Sequence, residues 1–306
     1  MAMTRRDALR AGVGAAVSLG TPNLLAQSVQ PILKTIPSSG EMIPPVGIGT
    51  NRYGVGESED ERAPLRATMA RFAELGGRVI DTAAAYGTSE AVIGDIAAEL
   101  GLTNDLFLAT KTDIRGRIRG EEGLRNSFDR LRAEQIDLMM VHQLVNADTE
   151  LPILREWQAA GRLRYIGASI SSLDQYDEME QFMLNEDVDF VQFNYSLGNR
   201  AAAERLLPTA ADRGIAVMIN LPFGGARRSL FNVVEGQELP EWAAEFDCAS
   251  WAQFFLKYLI SHPAVTCPIP GTRQVRHVND NFGAARGRLP DAEQRRRQEQ
   301  LFDSLA

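Results

Sequence analysis

Two cysteines, Cys248 and Cys267, are all that this chain of 306 residues contains; they are read as buried, reduced thiols and exclude a disulfide scaffold. The three histidines, His142, His262 and His277, lie far apart, and no His/Cys pair has the spacing of metal ligands. No G-x-G-x-x-G stands at a strand-to-helix turn, which removes the usual dinucleotide signature of a doubly wound sheet. Thr110-Lys111 lacks the glycine-rich frame of a phosphate loop. After the first thirty residues no segment approaches about 18 consecutive apolar residues, so no transmembrane helix is expected there. No Pro- or Ser-rich linker divides the chain. Basic charge is in short supply as well: 32 Lys and Arg against 40 Asp and Glu give a formal net charge of −8, which argues against nucleic acid as a partner.

What remains is ordinary globular composition, 44% hydrophobic and 24% charged, in a length suited to one large barrel or two smaller domains. The beginning is different in kind. Thr4-Arg5-Arg6-Asp7-Ala8-Leu9-Arg10 precedes a small, apolar stretch from Ala11 to Leu19, and Leu24-Leu25-Ala26-Gln27 follows. This order of charged start, short apolar run and small residue before a polar one resembles a twin-arginine export signal over residues 1–26. Gly12, Gly14 and Gly20 weaken the alternative of an amphipathic first helix. The expected destination is the periplasm or the exterior, with residues 27–306 as one mature domain off the membrane; without use of the signal the protein stays in the cytoplasm.

From residue 46 onward short β-rich runs alternate with longer amphipathic stretches, the rhythm of β/α units. Eight strands are predicted: Val46–Thr50, Arg78–Thr82, Leu106–Lys111, Ile136–His142, Leu163–Ser169, Phe190–Tyr195, Ile215–Leu221 and Ala264–Ile269. Several are nearly unbroken apolar runs, as parallel strands covered by helices require. Helices are predicted over Asp60–Leu75, Glu121–Arg132 and Ala201–Arg213, with Gly76-Gly77 and Gly214 as stops. The expected fold is α/β, a (β/α)8 TIM barrel with its active site at the C-terminal strand ends.

Four polar residues fall at such ends: Asp81 and Tyr86 after the second strand, Lys111 at the third and His142 at the fourth. Singly each has a bland reading as turn cap, loop packing, solvated charge or backbone partner. Jointly they converge on one mouth, where charged groups are costly unless paired or used. The chemistry they permit is protonation of a carbonyl oxygen by the Tyr86 phenol as hydride reaches the carbon. A tyrosine ordinarily keeps its proton to about pH 10, so Lys111, held by Asp81, would stabilise the phenolate while His142 orients the carbonyl.

At this point the chain resembles the aldo-keto reductase family. The resemblance rests on Asp81-Thr82-Ala83-Ala84-Ala85-Tyr86-Gly87, Ala109-Thr110-Lys111, Val141-His142, Arg164-Tyr165-Ile166-Gly167-Ala168-Ser169, Gln192-Phe193-Asn194-Tyr195 and Ile269-Pro270-Gly271-Thr272, in fitting order over residues 46–283. It implies an N-terminal hairpin over Leu33–Gly47 with Ser38-Ser39-Gly40 as turn, and a catalytic tetrad of Asp81, Tyr86, Lys111 and His142. It also implies a small-molecule carbonyl substrate and an NADP(H) site formed by Gly49, Thr50, Asp81, Ser169, Gln192, Pro222, Gly271, Thr272, Arg273, His277, Asp280 and Asn281.

The chain departs from that pattern in places. Ile170 stands where an Asn usually follows the Ser, and Asn220 where an aromatic commonly stacks on the nicotinamide, with Phe223 as a substitute. Gly271 and His277 replace common 2′-phosphate contacts; Arg273 and Arg276 supply the charge that favours NADP(H) over NAD(H). Phe223–Pro240 reads as a lid or pocket wall. Two other functions compete: a dinucleotide-binding barrel acting as a sensor or regulatory subunit, and a Schiff-base enzyme using Lys111.

Overall fold

The structure is a computed structural model that describes residues 30–112, 120–225 and 228–306. The export signal read over residues 1–26 lies outside the described residues, as do Ala226 and Arg227 of the lid segment. The described chain opens with an antiparallel hairpin, β1 (Lys34–Thr35) and β2 (Met42–Ile43). The Ile36 carbonyl accepts the Gly40 N–H at 2.8 Å, and Gly40 has φ +77°, a conformation that favours a residue without Cβ.

Eight strands then follow in chain order, each parallel to the last: β3 (Ile48–Gly49), β4 (Val79–Asp81), β5 (Phe107–Lys111), β6 (Ile136–His142), β7 (Leu163–Ser169), β8 (Phe190–Asn194), β9 (Ala216–Asn220) and β10 (Cys267–Pro268). The sheet closes where Gly47 and Gly49 donate to the carbonyls of Pro268 and Pro270 at 3.0 and 3.1 Å. A Cβ on Gly49 would lie 2.7 Å from the Ile269 carbonyl oxygen, so the closing seam requires glycine. The eight predicted strands are all present; the first and last are shorter because loop hydrogen bonds replace ladder pairing near the seam.

The helices between them are α1 (Glu59–Glu74), α2 (Ser89–Leu100), α3 (Gly120–Leu131), α4 (Ala147–Ala159), α5 (Tyr176–Asn185), α6 (Leu206–Asp212), the short α7 (Leu230–Val233), α8 (Trp251–Ile260) and α9 (Val275–Gly283), with α10 (Ala292–Leu305) closing the chain. The helix expected over Ala201–Arg213 is instead a 3-10 turn at Ala201–Ala203 followed by α6. Pro208 explains the break: it has no N–H to donate, and its ring would collide with the Glu204 carbonyl of a continuous helix.

Two apolar layers result. One lies between strands and helices, and a smaller one fills the barrel, where Phe107, Leu138, Met140, Tyr165, Phe190 and Met218 pack together. Ile36 and Ile43 of the hairpin belong to this inner cluster and are at most 1% exposed, so the hairpin plugs the N-terminal mouth. Glu41 fixes it there by accepting from Tyr165 Oη at 2.6 Å and pairing with Arg164. Cys248 and Cys267 are buried free thiols. Because side chains alternate along a strand, the inward positions run from apolar at the plugged end to Asp81, Lys111, His142, Ser169, Gln192 and Asn220 at the other.

Candidate active site

The short loop from β4 to α2 places Tyr86. Thr82 N–H donates to the Ala109 carbonyl at 2.9 Å, Ala84 N–H to the Lys111 carbonyl at 3.3 Å and Tyr86 N–H to the Ala83 carbonyl at 3.0 Å. Alanines at 83–85 permit this close turn across the end of β5. Behind it the buried hydroxyls of Thr50, Thr82 and Ser89 interlock: Thr50 Oγ1 donates to the Asp81 carbonyl at 2.8 Å, and Ser89 Oγ lies 3.0 Å from Thr82 Oγ1. Thr50 therefore braces the strand end rather than lining the open site.

Lys111 Nζ donates to both Asp81 carboxylate oxygens at 2.8 Å and to the Thr82 carbonyl at 2.7 Å. Lys111 is 1% exposed and Asp81 3%. Burial opposes charge on the ammonium, but the Asp81 carboxylate outweighs it, with smaller contributions from Tyr86 and Glu90, and holds the lysine above its ordinary pKa. Burial likewise pushes the Asp81 carboxyl above its ordinary value, against the opposing pull of Lys111 and the Gln192 hydrogen bond. Gln192 Nε2 donates to Asp81 Oδ1 at 2.8 Å, which gives the carboxylate a further partner and leaves Oε1 as the amide's acceptor.

The Lys111 ammonium stands 5.5 Å from the centroid of the Tyr86 ring. The Tyr86 and His142 rings meet edge to face, centroids 6.1 Å apart and planes at 81°. The His142 backbone N–H donates to Thr112 Oγ1 at 3.2 Å. The structure thus brings the four predicted residues into one cluster in which the ion pair is sealed and Tyr86 is half-buried.

Above the cluster lies a cavity of about 520 Å³ whose walls include Gly49, Asp81, Tyr86, His142, Ser169, Gln192, Asn220, Pro222, Phe223 and Gly271. It adjoins a second, of about 240 Å³, lined by Gly271, Thr272, Arg273, Gln274 and His277. Gly49, Asn51, Arg52 and Gly271 border both, so the two form one trench from Tyr86 to Arg273 and His277. Helix α9 begins beside its far end.

Besides Thr50, three predicted positions fall elsewhere. Asp280 accepts from Ser250 Oγ at 2.6 Å and Gln253 Nε2 at 3.1 Å, bound to the start of α8. Buried Asn281 donates to Thr272 Oγ1 at 3.0 Å and shapes the trench through that threonine. Arg276 is engaged with Gln274 Oε1 at 2.8 Å. Of the lid segment, Phe223 and Gly224 line the larger cavity. The Phe223 ring packs against Phe231 and Phe255 at 5.0 and 6.3 Å.

Sequence reasoning missed Arg52, whose signal was a cation two residues beyond a first-strand end, and Gln143, which follows His142 at φ +57°. Leu144 repeats that conformation and Leu221 has φ +50°. Left-handed backbone at non-glycine residues costs of order 1–3 kcal/mol each and concentrates at functional sites. Among the described residues no cluster of His, Cys, Asp and Glu could hold a metal ion, and no helix is long and apolar enough to cross a membrane.

The family model described as the aldo/keto reductase family matches residues 45–300. The chain is similar to the aldo-keto reductase YhdN of Bacillus subtilis, 31% identical over 219 residues, which span 66% of this chain and 63% of that one. It is similar also to the methylglyoxal reductase YeaE of Escherichia coli, 29% identical over 269 residues, 85% of this chain and 92% of that. Among solved structures, the holo form of aldo-keto reductase AKR11C1 from Bacillus halodurans shares the fold with a TM-score of 0.70 at 22% identity, covering 90% of this chain and 96% of that. An aldo-keto reductase from Klebsiella pneumoniae in complex with NADPH gives 0.69 at 23%, covering 89% and 95%.

Proposed function

This chain belongs to the aldo/keto reductase family, and from that premise we propose that it is an NADP(H)-dependent oxidoreductase reducing aldehyde or ketone carbonyls to alcohols, with Tyr86 as general acid. The observation that carries the reading is the buried Lys111–Asp81 ion pair beneath Tyr86 and beside His142, at the floor of a trench with guanidinium groups at its other end.

The residues present fit the dinucleotide. Gln192, with Nε2 committed to Asp81, presents an acceptor, and Ser169 Oγ supplies a hydroxyl beside it. Arg52 and Arg273 bring positive charge where phosphates would lie, Arg273 serving the 2′-phosphate. NADPH, when bound, supplies hydride to the carbonyl carbon. Tyr86 donates the proton to the carbonyl oxygen, and its phenolate is stabilised by the Lys111 charge, which Asp81 keeps in place. His142, edge-on to Tyr86, orients the oxygen. Oriented donors at a developing oxyanion are commonly a large part of catalysis.

The similar protein from Escherichia coli is named a methylglyoxal reductase and the one from Klebsiella pneumoniae was solved with NADPH; both support this class of reaction. The Arg5-Arg6 leader motif adds the proposal that the barrel is exported folded, with its cofactor already loaded.

The test is fluorescence titration of residues 27–306 with NADPH and NADH, followed by NADPH oxidation with a panel of aldehydes, ketones and quinones. Tight NADPH binding with turnover supports the reductase. Binding without turnover on any carbonyl transfers the reading to a sensor or regulatory barrel, and absence of binding removes both.

A further inference from the structure

A separate cavity opens on the face opposite the trench. It lies between the hairpin strand β1, helix α6 and the loop that runs from α8 into β10, and measures about 700 Å³. That is more than either part of the trench and within the range of small-molecule sites. Its walls are chiefly apolar: Leu33, Pro37, Pro208, Ala211 and Pro263 are exposed, and Ile215 is buried. Apolar groups left facing water in a concave surface are what an apolar ligand covers with gain.

The charge at this cleft is of one sign. Among the residues that line it Lys34 is the one ionised side chain at neutral pH, and no carboxylate joins it. The other two lysines of the chain are fully engaged. Lys111 donates three times, and Lys257 donates to the Arg286 and Arg288 carbonyls at 2.7 Å each. Half-buried Lys34 makes one long contact, 3.4 Å to the His262 carbonyl, which leaves two of its N–H donors for other partners. Its charged neighbour is a further cation. Burial and Arg295 lower the Lys34 pKa, and burial, Arg295 and Lys34 lower that of His262. A positive charge partly withdrawn from water and set beside another is relieved by an anion.

We propose that this cleft binds an aliphatic carboxylate, its chain against the apolar walls and its head group on the Lys34 ammonium. One ammonium matches one negative charge. A phosphate head group would call for the guanidinium forks that bind it bidentately, and the lining holds none. The site is independent of the cofactor reading, because it sits on the plugged face and shares no residue with the trench.

The experiment is calorimetric titration of the full chain with octanoate and with octan-1-ol, which has the same chain length and no charge. Wild type is expected to bind octanoate about tenfold more tightly than the alcohol, the worth of one charge-assisted contact at a half-buried site. Lys34→Met, which keeps the apolar stem, should lose about tenfold for octanoate and nothing for the alcohol. Ala211→Trp, a change at an exposed helix position that fills the cleft, should abolish binding of both; circular dichroism checks each fold. Octanoate bound at full strength by Ala211→Trp places the ligand elsewhere and overturns the assignment. So does the absence of octanoate binding in wild type, and equal affinity of wild type for acid and alcohol removes the head-group contact that defines the site.

Discussion

The phenol of Tyr53 donates to the backbone carbonyl of Thr272 at 2.8 Å, joining the loop after β3 to the loop after β10 across 219 residues of sequence. Tyr53 is fully buried, and burial raises its pKa far above the ordinary tyrosine value, so the hydroxyl stays a donor. The carbonyl it holds belongs to the segment that lines the distal part of the trench. Tyr53→Phe keeps the ring and leaves that carbonyl without its donor, at an expected cost of about 1–2 kcal/mol in stability. NADPH affinity should fall with it. A denaturation midpoint unchanged from wild type, together with an unchanged dissociation constant, would deny the tie any role.

Tyr86→Phe is expected to lower carbonyl reduction by about 10²–10⁴-fold, the usual worth of general acid catalysis, while NADPH titrates as in wild type. The ring and its contact with His142 are retained in this variant, so lost activity reports the missing proton. Retention of most wild-type turnover would take the acid role away from Tyr86.

Removing the Arg273 guanidinium should separate the two dinucleotides. Arg273→Ala is expected to weaken NADPH by about 10- to 100-fold, as loss of a charge-assisted contact implies, and NADH by much less. Parallel titrations decide it: equal losses would show that Arg273 meets a phosphate common to both.

His262 provides a pH signature far from the trench. Burial lowers its pKa from 6.5 to about 4, with Arg295 and Lys34 adding repulsion, and its Nδ1 accepts the Ala264 N–H at 3.2 Å. Between those values the unfolded chain takes up a proton that the folded chain refuses. Its contribution to stability is therefore complete above about pH 6.5 and is lost as pH falls toward 4. The melting temperature of wild type should fall over that window more steeply than that of His262→Asn, which keeps an acceptor for Ala264. Superimposable profiles would mean that His262 titrates normally in the fold.

The cluster of Asp81, Tyr86, Lys111 and His142 was legible because each member sits inside a contiguous local motif, and three of them fall at strand ends that follow from period-two alternation: Asp81 ends β4, Lys111 ends β5 and His142 ends β6. The distal trench was less so. Asp280 and Asn281 look alike in sequence as polar residues opening toward a ligand, yet one caps α8 through Ser250 and the other holds Thr272. Such choices are made by tertiary partners 9 to 30 residues away, and no local pattern encodes them. Tyr53 was silent for the same reason, its partner Thr272 being 219 residues away. The split before α6 was readable in principle, since Pro208 withholds the N–H that a continuous helix would donate to Glu204 and suits the first turn of a new helix.

The plugged mouth has a consequence for how this molecule can be held. Ile32 N–H donates to the Ala285 carbonyl at 2.7 Å, just before the hairpin whose Ile36 and Ile43 stop the barrel. The chain therefore enters the barrel from the face opposite the trench. An attachment made at residue 30 would hold the molecule by its back. The open mouth stays turned outward, and the tether and the ligands of the trench need not compete for the same side.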